Sequence, residues 1–148
     1  QGVAGTVRET GLFMTELTTA DGVCMRVPNG KIWGSAITNY SENPTRRLDI
    51  EAIVTFDSDI QAGLDALKAM MAEESRLLPE PRPEVMVTRY TDRGITLNAR
   101  YWTNSGDFWN VQYGFFGRLQ QRLEDAGCRL AVPVQEVRRP ESGDAARA

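Results

Sequence analysis

From Leu48 onward the apolar residues change spacing in a fixed succession, and that succession limits what the chain can fold into. Leu48, Ile50, Ala52, Val54 and Phe56 alternate with Asp49, Glu51 and Thr55, the period-2 pattern of a half-buried strand broken only by Ile53. Ile60, Leu64, Leu67 and Met71 then recur at helical spacing behind Ser58 and Gln61, which fit a capping box, and the helix must stop before Pro79, Pro81 and Pro83. Val85–Tyr90 and Ile95–Trp102 read as two strands joined by Thr91, Asp92, Arg93 and Gly94, a hairpin connection. Asp107 can cap a second helix with Phe108, Val111, Phe115, Leu119 and Leu123 on one face, and Gly127 stands where a helix ends. Leu130–Val137 is a last strand, with Pro133 marking an edge or bend. The order βαββαβ is the split βαβ, ferredoxin-like arrangement: an antiparallel sheet with both helices on one face.

The first 43 residues follow another pattern. Gly5 to Val27 is rich in Val, Thr, Leu and Phe, and Asp21 with Gly22 supplies the turn of a hairpin; Val23, Met25 and Val27 give one strand an apolar face. Pro28, Asn29 and Gly30 break that strand, and a short strand over Ala36–Tyr40 is expected after them. So few strands leave an apolar face open, so a segment N-terminal to Gln1 or a neighbouring subunit is expected to complete the sheet. The chain opens on Gln1 rather than Met, as a piece of a longer protein would. The polar connector Ser41–Pro44 sets the expected division: residues 1–43 a partial β domain, 44–139 an α/β domain, and 140–148, small and charged, a flexible tail.

Composition narrows the chemistry. The 148 residues contain no His, which removes Ser/His/Asp, Cys/His and His-based zinc sites. A formal charge of −3 gives no global attraction to nucleic acid or anionic lipid. The two cysteines, Cys24 and Cys128, are far apart and outside any CxxC, and are expected to be buried apolar thiols. No apolar run approaches the ~20 residues that span a bilayer. Asp57 and Asp59 are expected to satisfy helix amides rather than hold a metal, and Glu73 and Glu74 to be solvated. Phosphate-loop and dinucleotide fingerprints are missing, and no paired-carboxylate site emerges, so neither an enzyme nor a cofactor is expected. Lys31, Trp33, Tyr40, Arg46 and Arg47 could form a surface for single-stranded nucleic acid, but the acidic balance argues for packing instead. Phe108, Trp109, Tyr113, Phe115 and Phe116 crowd the second helix beyond what one core face needs, which leaves room for an interface.

Residues 5 to 50, GTVRETGLFMTELTTADGVCMRVPNGKIWGSAITNYSENPTRRLDI, resemble the cytoplasmic portion of the small-conductance mechanosensitive channel family in the GxVxxxGLxxTxLxTxDG stretch, the PNG turn, the NYS close and the NPTRR start of the next domain. The likeness continues through TFDSD, SGDFW and VPVQEV, over almost the whole chain. Cys24, Met25 and Met14 depart from the family's more usual residues, and Arg138 and Arg139 stand where it often carries a His.

The resemblance implies a truncated Sm-like β domain followed by a ferredoxin-like domain, α+β in class, from a protein whose pore helices lie upstream. It implies a tension-gated channel releasing small solutes under hypo-osmotic stress, assembled as a homoheptamer in the inner membrane, with this segment cytoplasmic, no nucleic-acid partner, and β domains ringing the pore above an α/β cage. Pro28, Asn29, Gly30, Trp33, Asn39 and Tyr40 are then expected to face subunits or shape the ring, with Arg46 and Arg47 at the joint between domains. A chain truncated in this way is expected to be monomeric or to form unstable oligomers. Two rivals of other classes are a soluble Sm-like nucleic-acid-binding module and a ferredoxin-like ligand-sensing domain.

Overall fold

The computed structural model describes residues 2–131, which form two compact units dividing between Glu42 and Asn43. The first unit is a three-stranded antiparallel sheet of β1 (Thr6–Thr10), β2 (Met14–Thr18) and β3 (Cys24–Pro28), in that order, with a short helix α1 (Asn29–Trp33) directly behind β3. Asp21 and Gly22 do form the turn between β2 and β3, with Gly22 at φ 85°. Thr15, Leu17 and Val27 are its buried residues among those described.

The second unit runs β4 (Thr45–Val54), α2 (Ile60–Ala72), β5 (Glu84–Tyr90), β6 (Ile95–Asn104) and α3 (Phe108–Asp125). β6 lies between β4 and β5 and is antiparallel to both, so β4 and β5 are parallel with β6 inserted, the split βαβ that the alternating periods required. Register places Leu48, Ile50, Ala52 and Val54 of β4 opposite Tyr101, Ala99, Leu97 and Ile95 of β6, and all eight are buried beneath the helices. α2 adds Leu67, Met70 and Met71, and α3 adds Phe108, Val111, Phe115, Leu119 and Leu123, the five residues that helical spacing selected. The Tyr101 and Phe115 rings pack at 5.0 Å between centroids. A Cβ on Gly63 would come within 2.9 Å of Cys128 Sγ and Leu97 Cδ1, so a residue without a side chain lets α2 sit this close to the sheet.

Several sequence expectations need correction. Ala36–Tyr40 is not a strand: it is exposed and irregular, because no strand among the described residues offers its backbone a ladder. The α2 cap is Asp59, whose carboxylate accepts from the Ala62 amide at 3.0 Å; Ser58 instead bonds Thr55 and the Arg129 amide. Asp107 does precede α3 but makes no side-chain cap, because its αR backbone (φ −92°, ψ −9°) is not the extended conformation that aims a cap inward. Phe56 lies beyond the end of β4 and is exposed. Cys128 is buried, whereas Cys24 is exposed. Of the expected last strand, Leu130 bridges Val54 in antiparallel fashion on the free side of β4, and the Ala131 amide donates to the Ile53 carbonyl; the remainder, with the expected tail, lies outside the described residues.

Gly94 closes the β5–β6 hairpin at φ 156°, and a Cβ there would stand 2.1 Å from the Val54 carbonyl oxygen. Backbone rather than a movable side chain is in the way, so Gly94→Ala must distort the turn or part β4 from β6. Urea unfolding of the variant is expected to show a loss of about 2 kcal/mol or more; a loss within 0.5 kcal/mol would contradict the close approach.

Candidate interaction surfaces

In the first unit one polar side chain organises the corner at which the PNG run stands. Asn29 donates through Nδ2 to the carbonyls of Gly11 (2.9 Å) and Leu12 (3.1 Å), accepts from Thr15 Oγ1 (2.8 Å), and sends its amide to the Phe13 carbonyl (2.9 Å). Three hydrogen bonds thus tie the β1–β2 turn, and a fourth ties β2, to the start of α1, where the sequence had shown only a turn. Pro28 ends β3 opposite Met14 and precedes α1, and Gly30 lies in its first turn. The pinned corner exposes its apolar side chains: Leu12 is 85% exposed, Phe13 79% and Trp33 87%. Exposed rings and aliphatics of this kind make the corner a candidate interaction surface. Leu12 and Phe13 escaped the sequence reading; the signal was there, three consecutive apolar residues directly behind Gly11 in a segment that should alternate.

Of the other expected site residues, Asn39 and Tyr40 lie in the irregular segment, where Asn39 accepts from the Ser41 amide and donates to Glu42. Arg46 and Arg47 open β4 and turn to opposite faces. Arg46 places its guanidinium carbon 3.5 Å from the centroid of the Phe108 ring, a cation–π contact of about 1 kcal/mol. Arg47 joins Arg100 on Asp49, each at 2.7 Å. Burial works to raise the Asp49 carboxyl, but its hydrogen bonds to these two arginines prevail and hold it below the ordinary aspartate range.

Glu73 and Glu74, which the sequence reading placed in solvent, stand in a charged cluster where Glu74 is buried while Glu73 stays exposed. Glu74, just past α2, accepts a fork from Arg76 (Nε 2.7 Å, Nη2 2.8 Å) and also faces Arg118 of α3 at 3.8 Å, while Glu73 meets Arg118 and Arg122. The cluster ties the C-terminal end of α2 to one side of α3. The Arg76 hydrogen bond lowers the Glu74 carboxyl, outweighing burial. Beside it the Tyr101 hydroxyl is buried without a hydrogen-bond partner among the described residues, and desolvation raises it. Among the described residues no group of three or more Cys, Asp and Glu could hold a metal ion.

The family description "Mechanosensitive ion channel MscS, C-terminal" matches residues 48–130, more than half of the chain. The chain belongs to the MscS family of mechanosensitive ion channels. A second description, "Mechanosensitive ion channel, beta-domain", matches residues 1–42 of this MscS-family chain. A small-conductance mechanosensitive channel of Edwardsiella ictaluri is 32% identical over 136 residues, covering 92% of this chain and 48% of the relative. An uncharacterized MscS family protein of Archaeoglobus fulgidus is 29% identical over the same shares. The chain therefore spans about half the length of the curated relatives it matches. In fold it resembles Helicobacter pylori MscS in the closed state, with a TM-score of 0.83 at 19% identity over 93% of this chain and 55% of the other. It also resembles Arabidopsis thaliana MSL1, with a TM-score of 0.69 at 19% identity over 87% and 49%. These likenesses place a β domain before an α/β domain in a family of channels rather than enzymes.

Two outcomes follow for this MscS-family chain. Asn29→Ala removes three side-chain hydrogen bonds at the pinned corner and should speed amide exchange at Gly11 and Asn29 at least tenfold, read by hydrogen–deuterium exchange; unchanged protection would deny Asn29 its pinning role. Glu74 has a folded-state pKa below its ordinary 4.5, so its contribution is complete above about pH 4.5 and is lost as pH falls through the lower folded value. Glu74→Gln should cost about 1–3 kcal/mol at pH 7 and make the decline in stability below pH 4.5 shallower, seen in urea titrations at pH 3 to 7.

Proposed function

We propose that this chain is the β-domain and α/β portion of a tension-gated channel that opens when hypo-osmotic stress stretches the membrane and lets small solutes leave. The observation that carries the reading is the pair of consecutive family matches, β-domain over residues 1–42 and C-terminal domain over 48–130, in the order in which the sheets occur. Gating of this kind is an equilibrium between states of different membrane area shifted by tension, and needs no ligand. The function of this portion is assembly and support of the pore: the α/β units form a cage that filters solutes by size and charge, and the β units ring the pore.

The subunits assemble as a homo-oligomer, a heptamer in the family's manner, held in the inner membrane by helices outside this chain, with the portion described here on the cytoplasmic side. What supports self-assembly is the first unit's unfinished burial: Leu12, Phe13, Trp33 and Ile37 stay exposed around a sheet with few buried residues. Pro28, Asn29, Gly30, Trp33, Asn39 and Tyr40 shape or face that ring, and Arg46 and Arg47 lie at the joint between β and α/β domains. No nucleic-acid partner belongs to this reading.

Patch-clamp recording from giant liposomes carrying the full-length protein is the test. Stretch-activated conductance is the expected result, and silent patches up to the lytic tension would overturn the reading. In the same preparation Trp33→Ala is expected to shift the opening tension or to lower the oligomer's native mass; if neither changes, Trp33 does not face a subunit.

A further inference from the structure

α3 carries two aromatic faces, and its core accounts for one of them. Phe108 and Phe115 are buried, but Trp109, Tyr113 and Phe116, four and three residues apart, form a second stripe that is 55%, 64% and 49% exposed. The Trp109 and Tyr113 rings stack at 5.8 Å, and Trp109 meets the edge of Phe108 at 5.1 Å, so the ridge is organised before anything docks. Three such rings leave on the order of 300 Å² of apolar surface in water, as much as the largest patch of an ordinary monomer. Along one side of the ridge run Gly114 and Gly117. A Cβ at either would meet nothing within 4 Å, and each costs the helix about 1 kcal/mol relative to alanine, so packing within the described chain gives no reason for them.

The same chain carries a segment of complementary chemistry. Pro79, Glu80, Pro81, Arg82 and Pro83 are all exposed, and Arg82 makes no ion pair among the described residues. Proline rings lie well on aromatic faces and lose almost no side-chain entropy on docking. At the C-terminal end of the ridge Glu124 accepts from Gln120, with no cation paired to it among the described residues. The lengths agree for the C-terminal part of the ridge: Pro79 to Arg82 spans at most about 11 Å of backbone, and with the Arg82 side chain extended it covers the roughly 16 Å between Tyr113 and Glu124 along the helix.

The geometry points to an interface in which the 79–83 segment of one copy lies along the Tyr113 and Phe116 end of the ridge of the next, prolines on rings and Arg82 at Glu124. Because the donating and receiving patches differ, the contact is heterologous, the kind that builds a ring where the rotation between copies closes. This rests on the homo-oligomer reading above and adds which surfaces the α/β units use.

The test is cross-linking between two differently tagged, co-expressed copies of the full-length protein, with Cys24→Ser in both, Pro81→Cys in one and Gly117→Cys in the other. A covalent dimer carrying both tags is expected. Arg82→Glu on the first copy should lower its yield at least fivefold, and Glu124→Arg on the second should restore it. An intact oligomer by native mass without that dimer, or without the restoration, overturns this contact and leaves the oligomer reading standing. A native mass of one copy overturns both. If brominated lipid in liposomes quenches a variant whose only tryptophan is Trp109, the ridge lies on a bilayer surface and the contact is overturned.

Discussion

The α/β unit depends on the ten-residue antiparallel pairing of β4 with β6. Side chains alternate with period 2, so this register alone turns Leu48, Ile50, Ala52 and Val54 to the same side as Ile95, Leu97, Ala99 and Tyr101. A slip of one residue would carry that whole set into water and bring Asp49, Glu51 and Arg47 under the helices. The same register sets Asp49 opposite Arg100, where their 2.7 Å ion pair finishes the outer face. With β6 central, both helices find one continuous apolar floor, and the Glu73, Glu74, Arg76, Arg118 and Arg122 cluster fastens the C-terminal end of α2 to one side of α3.

The β unit is built on the opposite principle. It buries few of its own residues and relies on Asn29, a polar pin whose bonds hold a turn in place without a core beneath it. A backbone fixed by hydrogen bonds can keep Leu12, Phe13 and Trp33 presented to solvent, where hydrophobic collapse alone would fold them away. The pairing of a self-sufficient α/β unit with an under-buried β unit suits a protein that is finished by assembly.

Much of the α/β unit was legible because local pattern and tertiary burial agree there. The α3 face was readable residue by residue, since Phe108, Val111, Phe115, Leu119 and Leu123 follow one helical stripe and meet one sheet. The failures share a cause. Asp107 looks like a cap but holds αR dihedrals, and Ser58 yields the cap to Asp59 because a residue 71 positions away, Arg129, claims its hydroxyl. Glu74 looked like a solvated helix end until Arg118, 44 positions along the chain, was packed beside it. Ala36–Tyr40 has the composition of a strand but no ladder to join among the described residues. Apart from Asp107, whose own backbone conformation decides, each required knowledge of a distant neighbour, which spacing does not encode.

The PNG run shows the same division. Turn chemistry marked Pro28, Asn29 and Gly30 as a place where the chain changes direction, and the motifs around them marked the family. That Asn29 reaches across to Gly11, Leu12 and Thr15, and thereby holds Leu12 and Phe13 out into water, was decided by the fold. By itself the sequence determined the periods, hence the element order, the α/β topology and the buried stripe of α3. Only the tertiary structure decided which polar groups are pinned and which aromatic residues stay wet, because both depend on pairings between residues far apart in sequence.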